Sequence, residues 1–220
     1  MLSFTALDTK QMLTPLYLNK ENNVEFARFN ESLSSYAAAL AEFKGENEST
    51  LVANVLKPFF ERLDFDKVVA GKGQESGKSE IDLALLKDDK VAVIVEAKRQ
   101  GSADMFSPEN INCKALHEAI LYYFRERDKG SASVKFIIIT DFMHFYIFRH
   151  KQFEDFFYQN DDLRQIYANF APSLASKRSE KFGTKDFYAK LKEHLESLKF
   201  ENHLQSLKKH LFDGGGGRHI

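Results

Sequence analysis

Ser79–Gln100 reads SEIDLALLKDDKVAVIVEAKRQ, in which two apolar runs, Ile81–Leu86 and Val91–Val95, flank the charged turn Lys87-Asp88-Asp89-Lys90. That pattern predicts a hairpin whose strands are largely buried. Two features break it. Asp82 interrupts the first run, and Glu96 and Lys98 follow directly on the second. A charge in an apolar strand costs on the order of several kcal/mol unless it is paired or bound to a metal. Strand side chains alternate, so Glu96 and Lys98 project to one face and Ala97 to the other. An acid on one strand then converges with an acid-x-lysine on its neighbour, an arrangement able to hold a divalent cation beside an ammonium. The competing reading is a surface hairpin ending in an exposed Glu–Lys pair. Against it stand the apolarity of both strands, the acid inside a run, and the charged group Glu96, Lys98 and Arg99 abutting a core strand.

Working outward, Asn22–Lys44 carries apolar residues in steps of three and four, from Phe26 through Tyr36 to Phe43, and predicts a helix ended by Gly45-Glu46-Asn47. Glu48–Leu63 predicts a second amphipathic helix, kinked or divided at Pro58. Asp64–Lys78 reads as a polar connection. Its GKGQESGKS at Gly71–Ser79 is not a phosphate-binding P-loop, because position 72 is Lys where that motif needs Gly, and the stretch leads into a strand rather than a helix. Lys72 and Lys78 are cationic loop residues, either solvated or in contact with a phosphate backbone. After the hairpin, Glu109–Arg127 predicts a third helix, with Asn112, Leu116, Ala119, Ile120, Tyr123 and Phe124 near its buried face and Lys114, His117, Glu118 and Arg125 on its other side. Two strands follow, Val134–Thr140 and His144–Arg149, then helical patterns from Gln152 to Phe212 and a linker-like tail, Gly214–Ile220.

The totals fit one domain with appendages, or at most two small ones. The chain has 220 residues, 43% of them hydrophobic, 21 Phe, and a formal net charge of -1. A single cysteine, Cys113, excludes an internal disulfide and a cysteine-based zinc site and suits a reducing cytoplasm. No window is apolar enough to span a membrane. The expected division is an N-terminal arm and helix over 1–47, a core over 48–150, a helical region over 151–213 and the tail over 214–220.

Asp82, then Glu96-Ala97-Lys98, resembles the motif of the PD-(D/E)XK nuclease superfamily, with Ile81 in place of the motif's Pro. More narrowly, the chain is similar to the N-terminal nuclease domain of type IIG combined restriction–modification enzymes. The residues that carry this are EIDLAL at Glu80–Leu85, VEAKR at Val95–Arg99, NCKALHEAILYYFRER at Asn112–Arg127, FIIITDFMHFYIF at Phe136–Phe148 and FEDFF at Phe153–Phe157. The resemblance spans about residues 15–200 and implies an α/β, restriction-endonuclease-like core: a mixed central sheet of four or five strands flanked by helices, with helical extensions at both ends.

The resemblance also implies Mg²⁺-dependent (or Mn²⁺-dependent) hydrolysis of a phosphodiester in double-stranded DNA. Asp82, Glu96 and the Ala97 carbonyl would hold the metal, Lys98 would orient or help deprotonate the attacking water, and Glu48 would point at the site from the preceding helix. Lys72, Lys78, Arg99, Lys114 and His117 are the candidate DNA contacts. The Asn/Asp-Pro-Pro-Tyr/Phe motif of the adjoining methyltransferase is absent. The chain is therefore expected to be a fragment, a truncated product or a free-standing subunit that works with a methyltransferase or specificity partner. The rival expectations are a catalytically silent scaffold or DNA-docking module and, more weakly, a regulatory phosphate-binding protein.

Overall fold

The computed structural model describes residues 23–63, 65–72, 81–107, 109–130, 132–175 and 180–197. The expected arm over 1–20, the loop lysine Lys78, the last helical pattern over 203–212 and the tail lie outside them. The architecture is α/β: a five-stranded mixed sheet flanked by helices on both faces. Strands β1 (Lys67–Lys72), β2 (Ile81–Lys87), β3 (Lys90–Ala97), β4 (Phe136–Thr140) and β5 (Phe145–Arg149) lie side by side in chain order. Only β3 and β4 run parallel. A parallel pair needs a crossover, and helix α3 (Lys114–Asp128) lies on it.

The β2–β3 hairpin turns where the sequence places it. Asp88 and Asp89 have φ of 50° and 56°, the two positive angles that a two-residue turn matched to strand twist requires. Asp66 braces the turn, accepting the Asp88 amide at 2.7 Å and pairing with Lys87 at 3.0 Å. The strand β1 corrects the expectation of a polar connection over 64–78. Its apolar part is only Val68-Val69-Ala70, between lysines and a glycine, and it becomes a strand by pairing along the edge of β2.

Each face of the sheet has its own core. On one, Leu83, Leu85, Val93, Val95 and Ala97 pack against helices α1 (Asn23–Glu42) and α2 (48–61). Asn47 caps α2, its Oδ1 accepting the Thr50 amide at 2.9 Å, as Gly45-Glu46-Asn47 predicts. Pro58 neither ends α2 nor divides it. The turn before it, Val52–Leu56, widens to π geometry, and α-helix resumes at Lys57. Proline lacks an N–H and its ring crowds the carbonyl four residues back, so a widened turn next to it relieves both demands.

On the other face, Ala84, Leu86, Ile94, Ile137 and Ile139 pack against α3. Helices α5 (Asp161–Ala175) and α6 (Glu180–Ser197) join this core through Leu163, Tyr167, Phe187, Leu191 and Leu195. Between them and β5 lies α4 (150–158), whose second half is again π-helical. Helix α3 begins at Lys114, not at Glu109, because residues 109–113 are irregular, with Asn110 bridged to Ser107. Past the exposed Lys114 the other side of α3 is largely enclosed: His117, Leu121 and Tyr122 are buried along with Leu116, Ala119, Ile120, Tyr123 and Phe124. Among the described residues, no helix is long and apolar enough to cross a membrane.

The β4–β5 turn fastens the end of the sheet to α1. Phe142 holds φ of 72° and is buried; its amide donates to Thr140 Oγ1 at 2.9 Å and its carbonyl accepts from the buried Tyr36 hydroxyl at 2.7 Å. Tyr36→Phe strands that carbonyl without its donor. The expected loss is about 1–2 kcal/mol of unfolding free energy, read from urea denaturation, with an unchanged circular dichroism spectrum.

Candidate active site

Extending the hairpin register one residue past Leu83↔Val95 sets Asp82 opposite Glu96. Here the two strands part. The Ala97 amide turns from the ladder to the Asp82 carboxylate, donating to Oδ2 at 2.8 Å. Asp82 shares its face with Ala84, and Glu96 with Ile94, so both acids point to the α3 side of the sheet. Lys98 follows one residue beyond β3, its amide donating to the Thr140 carbonyl at 2.9 Å and so prolonging the parallel pairing with β4.

The side chains of Lys98 and four acids meet at this end of the sheet. Lys98 is buried, and its Nζ donates to Glu96 Oε1 and, at 3.0 Å, to the Ala97 carbonyl. Glu118 reaches it from the second turn of α3, with Oε2 2.9 Å from Nζ as an ion pair without hydrogen-bond geometry. Glu48, in the first turn of α2, reaches it from the opposite layer. Its Oε1 is 3.7 Å from Nζ, while Oε2 accepts the Arg99 amide at 3.2 Å. Each of the four acids therefore owes its place to a different element: a hairpin strand, its partner, and a helix from each layer.

The electrostatics show a surplus of negative charge. Four carboxylates share one buried ammonium. Burial pushes the Asp82 carboxyl up to about 6, against the Ala97 hydrogen bond and the Lys98 charge. Burial, with the neighbouring Asp82 and Glu118, drives Glu96 well above the ordinary carboxylate range. For Glu118 burial acts in the same direction, but its contact with Glu96 and the Lys98 charge outweigh it and lower the pKa. For Lys98 burial favours the neutral amine, yet the carboxylates of Glu96 and Glu118 prevail and hold the ammonium above its usual value. Glu96 is only 1% exposed, and its Oε2 is buried with no hydrogen-bond donor. A buried carboxylate oxygen crowded by further acids is satisfied by a proton or a cation and by little else.

Sequence reasoning thus named Asp82, Glu96, Lys98 and Glu48, and these four come together. It missed Glu118 as a member, although a signal was present: Glu118 stands among Leu116, Ala119, Ile120 and Leu121, an acid inside an apolar stretch just as Asp82 is. The candidate DNA contacts divide. Arg99 and Lys114 are exposed beside the cluster, with Lys114 3.7 Å from Glu118 Oε1. The backbone of Lys72 ends edge strand β1, and Lys78 lies outside the described residues. His117 is corrected: it is buried, stacked on Tyr188 and hydrogen-bonded through Nε2 to Asn112 Oδ1 at 2.7 Å, so its ring does not face a phosphate backbone. Burial, with Lys192 nearby, lowers its pKa to about 4 and keeps it neutral. Among the described residues, no three acidic, histidine or cysteine side chains stand ready-made around one point as metal ligands. The point they share is the Lys98 ammonium.

Residues 7–211 match the family described as a domain of unknown function, DUF7149. The chain belongs to this family. No curated protein and no solved structure matches it.

The raised carboxyl of Asp82 makes stability depend on pH. The folded protein keeps this proton up to about 6, whereas the unfolded chain releases it near its ordinary value of 3.8. The folded state therefore binds more protons in that interval, and stability falls as pH rises through it. Asp82→Asn removes the ionisation while retaining an oxygen for the Ala97 amide. It is expected to raise stability by about 1–3 kcal/mol at neutral pH and much less at pH 4. Paired thermal melts of the two proteins at both pH values check this.

Proposed function

We propose that this chain is a Mg²⁺-dependent nuclease domain of the PD-(D/E)XK type that hydrolyses phosphodiester bonds in double-stranded DNA. In this reading the α/β sheet is a restriction-endonuclease-like core, and a methyltransferase or specificity unit acts with it. The observation that carries it is the meeting of Asp82, Glu96 and Lys98 on one face at the end of β3, with a buried oxygen of Glu96 left without a donor. The order of elements supports it: a helix with Glu48, the edge strand β1, a strand with Asp82, a strand with Glu96 that leads into Lys98, a helix, and two further strands.

The donor set fits a hard divalent cation. Mg²⁺ prefers oxygen ligands and commonly takes one or two carboxylates with several waters. Asp82, Glu96 and the Ala97 carbonyl would hold it. When bound, the metal acidifies water and offsets charge on the scissile phosphate.

The chain's own groups supply the rest. Lys98 would orient or help deprotonate the attacking water and stabilise the developing negative charge on the phosphate. Glu48 fixes the backbone of Arg99 and so the direction in which that exposed guanidinium leaves the strand. Arg99 and Lys114 flank the cluster as cations for the DNA backbone.

Supercoiled plasmid incubated with the protein and Mg²⁺ is expected to be nicked or linearised, and an EDTA control to stay intact. Asp82→Asn, Glu96→Gln and Lys98→Ala should each reduce cleavage about a hundredfold or more while leaving DNA affinity within about threefold. Plasmid left supercoiled with both Mg²⁺ and Mn²⁺ would turn the assignment to a catalytically silent module. A Lys98→Ala protein that cuts at the wild-type rate would remove Lys98 from the mechanism.

A further inference from the structure

Lys98 Nζ is bonded to two of the three oxygen groups that the nuclease reading assigns to the cation. It donates to Glu96 Oε1 and to the Ala97 carbonyl at 3.0 Å. A third oxygen, Glu118 Oε2, stands 2.9 Å away on the side of α3. An ammonium has three donors; two are already given to protein oxygens and the Glu118 carboxylate crowds the third, so little of it is left for a phosphate. Nor do a divalent cation and an ammonium share Glu96 Oε1 and the Ala97 carbonyl, because two positive charges at such a separation in a buried site repel strongly. Lysine carries its compact charge on a flexible four-carbon stem, and Glu118 keeps one acidic contact for it away from β3.

We propose that Lys98 is an internal stand-in for the cation, and that Glu118 is a positioning residue that receives its ammonium when Glu96 and the Ala97 carbonyl turn to the metal. This rests on the nuclease reading and adds an order of events to it. Without metal, the lysine neutralises the cluster and is spent on protein oxygens. With metal, it is held by Glu118 and has donors to offer the substrate. The lysine needed for cleavage is thus also a competitor of the metal, and Glu118 sets how readily it yields.

Mn²⁺ alone, titrated into the full chain without DNA and followed by the electron paramagnetic resonance of the free ion, tests this. Lys98→Met and Lys98→Gln are expected to bind Mn²⁺ about tenfold tighter than the wild type, since each removes the competing charge. Glu118→Gln is expected to weaken binding about tenfold when Lys98 is present, and less than about threefold in the Lys98→Met background. That dependence separates a place for the lysine from a general negative field, which would weaken binding equally in both backgrounds. Circular dichroism melts identify folded variants, and either lysine substitution suffices. Two results overturn the proposal while leaving the nuclease reading standing: lysine variants that bind Mn²⁺ no tighter than wild type, or an equal effect of Glu118→Gln with and without Lys98. Binding that is absent from the wild type and the lysine variants, or unaffected by Asp82→Asn, overturns both.

Discussion

One buried ammonium among four carboxylates is the constraint around which this end of the molecule is built. Lys98 and Glu96 are both nearly inaccessible to water, and neither tolerates burial alone. Their pairing holds them at the end of β3, and the surrounding scaffold makes that pairing possible. The parallel alignment of β3 with β4 fixes the Lys98 backbone against Thr140. The crossover helix brings Glu118 down onto one face, and the capped start of α2 brings Glu48 from the other. Remove the charges and what remains is an apolar three-layer fold with no reason to turn acids inward.

The surplus of acids indicates function more strongly than stability. A structure selected for stability alone would replace such a group by apolar side chains of similar volume, which is often neutral or favourable. Here acids are stacked until burial and mutual repulsion raise two of them, Asp82 and Glu96, above the usual carboxylate range. Perturbed carboxyls of this kind gather where chemistry or ion binding needs them.

The sequence disclosed what depends on local pattern. The hairpin, its charged turn, the apolar β4 and the amphipathic α1 follow from periodicity. Asp82, Glu96 and Lys98 stand out because each breaks an apolar run. What escaped depends on partners distant in the chain. Three apolar residues do not announce β1; the free edge of β2 makes them a strand. Spacing gives α3 one apolar stripe and so puts the buried His117 and the inward Glu118 on its other side. In the fold a sheet covers one side of that helix and α6 covers another, so polar positions are enclosed along with apolar ones. The widened turn before Pro58 also escaped, because the proline shows that hydrogen bonding must change there but not how.

His117 and Glu118 are consecutive residues that answer to different neighbours. The imidazole is lodged against Asn112 and Tyr188, and the Asn112 amide in turn grips the Lys192 carbonyl on α6. The next side chain along α3 reaches Lys98. The attachment of α3 to α6 and its reach into the charge cluster are therefore made by side chains one peptide unit apart, so the two cannot be rebuilt independently.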